Sequence, residues 1–140
     1  MPVRILIADD DVAIRRLLRR QLEGQPDWEV CGEAANGQEA VVRAQQLTPD
    51  VAVLDLAMPL MNGLQAARQI SRALPRVPML LLTVQEVSSE LAKEARNVGF
   101  RGAVSKSTGM EVVNGIEVLL RGESFFQSEA PAPPAVSLPS

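Results

Sequence analysis

Strand-like and helix-like segments alternate along the chain, which predicts an α/β domain: a doubly wound sheet of five parallel strands covered by helices on both faces. Three observations carry the prediction. Five short apolar runs recur at similar intervals, each suited to a strand buried on both faces. Longer segments between them repeat apolar residues at helical spacing. Gly, Pro, Asn or Asp punctuates most of the changes from one pattern to the other.

In chain order, Val3 to Ala8 reads as the first strand. Asp11 stands where an N-cap belongs, before a helix from Val12 to Leu22 that turns Ile14, Leu17, Leu18 and Leu22 inward and closes at Gly24. Trp28 to Ala34 alternates like a strand. After Asn36-Gly37, the stripe Ala40, Val41, Ala44, Leu47 marks a helix that Thr48-Pro49-Asp50 ends. Val51 to Leu54 is the third strand, with Asp55 at its end. Pro59 and Asn62-Gly63 then break the chain, Asn62-Gly63 reading as turn chemistry, before a helix to Leu74 that buries Leu64, Ala67, Ile70 and Leu74; Pro75 blocks its extension. Pro78 to Thr83 is the fourth strand. The helix Val87 to Val98 turns Leu91, Ala95 and Val98 inward and takes Gly99 as a left-handed cap. A short fifth strand, Ala103 to Lys106, precedes a last helix from Met110 to Arg121, with Met110, Val113, Ile116 and Leu120 on one face and Gly122 as its stop. The expected domain is 1–126. The stretch 127–140, rich in proline, reads as a linker or disordered tail.

Composition narrows the function classes. With 140 residues, 46% hydrophobic and 22% charged, the chain suits one globular core. A net charge of −3 leaves no electrostatic footprint for nucleic acid, and no apolar run approaches a membrane span. The N-terminus reaches acids within ten residues and lacks a signal peptide's apolar core, so a cytoplasmic location is expected. Cys31, the single cysteine, reads as a buried inert thiol.

The polar residues that end the strands define a site. In a parallel sheet the carboxyl ends share one edge, so Asp9 and Asp10, Asp55, Thr83 and Lys106 converge on one crevice. Carboxylates packed together repel unless a cation joins them, and an all-oxygen, partly hydrated set without His suits Mg²⁺. Lys106 and the Thr83 hydroxyl can stabilise the equatorial oxygens of a phosphoryl group while Asp55 attacks it. The chemistry read from the residues is phosphoryl transfer to aspartate.

ILIADDD, VLDLAMP with MNG, LLLT and VSKS, in that order and spacing, resemble the receiver domain of two-component response regulators over about Val3 to Phe126. The resemblance implies a flavodoxin-like sheet of strand order 2-1-3-4-5, Asp55 as phosphoacceptor, and Asp9, Asp10, Asp55 and the Ala57 carbonyl as Mg²⁺ ligands. Thr83 and Lys106 would bind the phosphoryl group. It also implies a sensor histidine kinase as partner and a conformational switch rather than an enzyme with turnover, and it admits a homodimer through the last helices. RGESFF looks like receivers that precede a helix-turn-helix output domain of the NarL and LuxR type, through which alone DNA would be reached. The reading is an excised fragment or a stand-alone receiver. Where the family often carries an aromatic three residues before the lysine, this chain has Ala103, and Ser107 follows Lys106 in place of a common proline.

Arg15, Arg16, Arg19 and Arg20 read as a solvated face of the first helix, with docking of an acidic partner as the alternative. Three rival functions fit less well. An aspartyl phosphatase of the haloacid dehalogenase type needs an acid at position 57, which is Ala; a degenerate receiver would lack part of the acidic set; a nucleotide-binding fold needs a glycine-rich loop where DDDVA stands.

Overall fold

The computed structural model of the chain describes residues 2–106 and 109–127. The elements run β1 (Val3–Ala8), α1 (Val12–Glu23), β2 (Trp28–Ala34), α2 (Gly37–Leu47), β3 (Val51–Asp55), α3 (Gly63–Ala73), β4 (Met79–Thr83), α4 (Ser89–Val98), β5 (Gly102–Ser105), α5 (Gly109–Leu120) and β6 (Phe125–Phe126). All paired strands are parallel, in the order β2-β1-β3-β4-β5-β6. The doubly wound α/β architecture is as the sequence predicts, and the expected five-strand order is preserved within it. The strand count is corrected from five to six. β6 has two residues and no periodicity of its own; it is a strand because Phe125 N donates to Arg101 O at 2.9 Å and the segment lies against Gly102 and Ala103. Residues 128–140, most of the stretch read as a tail, lie outside the described residues, as does the peptide that joins Lys106 to Ser107. Gln127 is described, and its Oε1 accepts from Ser105 N at 2.7 Å while its Nε2 donates to Glu111 at 2.5 Å.

Alternation along the strands divides the core in two. Leu6, Ala8, Ala52, Leu54, Met79 and Leu81 face α2, α3 and α4, whereas Ile5, Ile7, Val51, Val53, Leu80 and Leu82 face α1 and α5. Each of these side chains is almost fully buried, and each large aliphatic one contributes about 1.5–3 kcal/mol. The central strands are therefore rigid supports for whatever stands at their ends.

The starts of α1, α2, α3 and α4 are capped. Asp11 Oδ1 accepts from Ala13 N and Ile14 N, Asn36 from Glu39 N, and Ser88 from Leu91 N. Asn62 does more than turn the chain: its side chain and that of Gln65 each accept from the other's backbone N–H, a full capping box. Gly99, at φ 112°, is the left-handed cap expected, whereas Gly24, at φ −73°, closes α1 without one.

Some inward assignments need correction. Leu17, Met110 and Leu120 are exposed; α5 instead buries Val112, Val113, Ile116 and Leu119. Its apolar residues cover more than one face, so a stripe can be drawn in two phases, and packing against Leu80 and Val104 selects one. Cys31 is half-buried rather than buried. The β1–β2 register passes from Ile5↔Val30 to Leu6↔Gly32, which leaves Cys31 as the extra residue of a bulge on the outermost strand. Burial still pushes its thiol up, so it stays protonated.

Candidate functional site

Four strand ends build the site. Asp9 follows β1, Asp55 is the last residue of β3, Thr83 is the last of β4, and Lys106 follows β5. Register brings them level: Thr83 pairs with Ser105, Lys106 N donates to Thr83 O at 2.8 Å, and Leu56 N donates to Leu82 O at 2.8 Å. They open on one cleft of about 330 Å³, whose lining also includes Asp10, Ala57 and Gln85. Every sequence-predicted site residue lies there. Sequence reasoning missed Gln85, whose backbone N–H donates to Thr83 Oγ1 at 3.2 Å; a backbone donor leaves no residue-type signal.

The acids are packed closely. One carboxylate oxygen each from Asp9, Asp10 and Asp55 lies within 4.8 Å of the others. Asp9 is fully buried, Asp55 is 4% exposed and Thr83 is 2% exposed, while Asp10 is exposed. The Lys106 ammonium stands 2.7 Å from Asp9 Oδ2 and 2.9 Å from Asp55 Oδ1. One ammonium thus bridges two of the three carboxylates.

Charge sets the protonation. Burial pushes the Asp55 carboxyl above the usual carboxylate range; Lys106 pulls it down, and the charges of Asp9 and Asp10 push it up again. Burial opposes the charge on Lys106, but the contacts and charges of Asp9 and Asp55 outweigh it and raise the ammonium above its ordinary value. Lys106 is therefore a permanent cation at neutral pH.

The donor set fits a hard divalent cation. Asp9 Oδ1 accepts from Asp11 N at 2.9 Å, but Asp9 Oδ2, fully buried, has the ion-pair contact to Lys106 and no hydrogen bond of good geometry. An under-satisfied buried carboxylate oxygen beside two further acids, with only oxygen donors in reach, matches the coordination preferences of Mg²⁺. No helix among the described residues is long and apolar enough to cross a membrane.

Two of the four arginines singled out on α1 have acidic partners. Arg15 Nε and Arg19 Nε each donate to Glu33, at 2.9 and 2.7 Å, so these two are tied down on α1 rather than left to solvent; Arg16 and Arg20 are exposed.

Known proteins resemble the chain in sequence and in fold. The sequence profile of the response regulator receiver domain matches residues 5–117. The chain is 34% identical over 130 residues to the response regulator protein VraR of Staphylococcus aureus, an alignment covering 92% of this chain and 62% of that protein. The chain thus spans under two thirds of the length of the curated relatives it matches. Among solved structures, a LuxR-family two-component response regulator from Aurantimonas sp. SI85-9A1 superposes with a TM-score of 0.85 at 33% identity, covering 89% of each chain. The response regulator domain of Thermotoga maritima CheB superposes with a TM-score of 0.76 at 28% identity, covering 87% of this chain and 96% of that one. The chain belongs to the response regulator receiver domain family of two-component systems.

Proposed function

We propose that Asp55 accepts a phosphoryl group from a sensor histidine kinase, and that the domain switches conformation in response. The observation that carries this reading is the shared ammonium: Lys106 Nζ lies within 2.9 Å of Asp55 Oδ1 at the floor of a cleft enclosed by strand-end residues, loops and Ile14 of α1. An Asp55 oxygen attacks phosphorus, the bond from phosphorus to the kinase imidazole breaks, and the imidazole keeps its electron pair. Lys106 then moves its contact from the Asp55 carboxylate to a phosphoryl oxygen, and the Thr83 hydroxyl donates to another. Asp9, Asp10, Asp55 and the Ala57 carbonyl would hold Mg²⁺. When bound, that ion supplies positive charge to the carboxylates and to the phosphoryl oxygens.

Readout starts at Thr83. Drawing its hydroxyl toward the phosphoryl group pulls on Gln85 N and so on the loop that leads to α4. Ala103, fully buried on β5, offers no ring to rotate, so the β4–α4 route carries the signal. A bias of about 1–3 kcal/mol between two conformations is enough for a partner to read. The domain, taken as residues 1–126 with a linker beyond, works in the cytoplasm, turns over no separate substrate, and reaches DNA only through an output domain. A second copy is one candidate reader, through the last helices.

Acetyl phosphate with Mg²⁺ should add one phosphoryl group to the wild type by intact mass and none to Asp55→Ala. Equal labelling of both proteins would overturn the assignment.

A further inference from the structure

Arg15 is partnered on both sides of its guanidinium. Nε donates to Glu33 Oε1 at 2.9 Å, and Nη1 donates to the backbone carbonyl of Asp9 at 2.6 Å. Its side chain is only 15% exposed. Glu33 is itself held from a second side by Arg19 Nε at 2.7 Å. Burial opposes the Glu33 charge, yet the hydrogen bonds from the two arginines outweigh it and hold the carboxyl below its ordinary value. The pair therefore persists across neutral pH, and it ties α1 to β2.

Three of the four polar groups of Asp9 are thereby hydrogen-bonded, and Oδ2 alone keeps only an ion-pair contact. Its N–H donates to Ala34 O at 3.0 Å, its carbonyl accepts from Arg15, Oδ1 accepts from Asp11 N, and Oδ2 faces Lys106. The carbonyl of Asp9 belongs to the peptide that leads into Asp10, so Arg15 fixes the plane from which both acidic side chains spring. A metal ligand is only as well placed as the groups that orient it.

We infer that Arg15, anchored by Glu33, is the positioning residue for the acidic pair and sets the affinity of the site for a divalent cation. The inference rests on the cation site of the proposed function. It makes a prediction opposite in sign to simple electrostatics. Removing a positive charge close to a cation site should tighten binding by Coulomb's law alone. Loss of orientation should weaken it, by about tenfold or more.

The test is calorimetric titration of the full chain with Mg²⁺ alone, on wild type, Arg15→Gln, Arg15→Lys and Arg19→Gln. Arg15→Gln should bind about tenfold more weakly. Arg15→Lys keeps the charge but cannot reach Glu33 and the Asp9 carbonyl together, and it should also weaken. Arg19→Gln loses a contact to the same glutamate without touching Asp9 and should match wild type. Equal or tighter binding by Arg15→Gln overturns the inference; if that variant is unfolded by circular dichroism, Arg15→Lys decides, and wild-type affinity there overturns it. No Mg²⁺ binding by the wild type would instead remove the cation site itself, a distinct failure.

Discussion

Gly63→Ala is expected to cost about 3 kcal/mol, the upper end for overpacking, because the new methyl has no soft neighbour to displace. A Cβ on Gly63 would lie 2.3 Å from Asp55 O and 3.2 Å from Leu56 Cα, all backbone at the end of the central strand. Gly63 N also donates to Leu56 O at 2.9 Å, so the start of α3 cannot retreat without losing that bond. The strand end must shift, and Asp55 with it. Urea denaturation should show a lowered midpoint with an unchanged slope, together with slower phosphoryl uptake. Gly122→Ala is the control: nothing lies within 4 Å of its Cβ, and only the φ of 83° penalises the change, by about 1 kcal/mol. Equal losses at the two glycines would contradict the close approach at Asp55.

Lys106→Met should destabilise the metal-free protein by about 3 kcal/mol, because it leaves Asp9 buried without its counter-charge. Mg²⁺ should restore part of the loss, since it offsets the same carboxylates. The dependence on pH separates this from a packing defect. Lys106 has a raised value in the folded state, so its stabilisation is fully present below the unfolded value of 10.5 and is lost as pH rises through the higher folded one. The variant lacks that alkaline loss. Asp55 is raised too, so the folded state binds a proton more readily than the unfolded chain; that contribution is present below the unfolded value of 3.8 and is lost as pH rises through the folded one. Without Lys106 to pull Asp55 down, this second window moves to higher pH. Urea midpoints measured across acid and alkaline pH should show both changes, and parallel curves for the two proteins would contradict the shared ammonium.

The sequence reading located the site because that inference needs little geometry. Once strands are parallel, the residues that end them meet, and Asp9, Asp55, Thr83 and Lys106 could be named from their places after apolar runs. What stayed hidden depends on contacts between distant segments. β6 is a strand only because β5 offers an edge to Phe125 and Phe126. Arg15 looked like one of four similar arginines on a helix; Glu33, 18 positions away, and the Asp9 carbonyl distinguish it. The inward faces of α1 and α5 were misjudged at Leu17, Met110 and Leu120 because apolar residues there exceed what one buried stripe holds. Asn62-Gly63 carries the signature of a turn in sequence, and its capping role depends on Gln65, whose side chain reaches back to the Asn62 backbone.

The central claim is that the strand-three aspartate, and neither of its acidic neighbours, carries the phosphoryl group. Reduction of an acyl phosphate by borohydride turns the aspartate that bore it into homoserine, which peptide mass spectrometry can place in the sequence. After exposure to a phosphodonor and Mg²⁺, the account predicts homoserine at position 55 alone. Homoserine at position 9 or 10, or none while intact mass shows phosphoryl uptake, would contradict it.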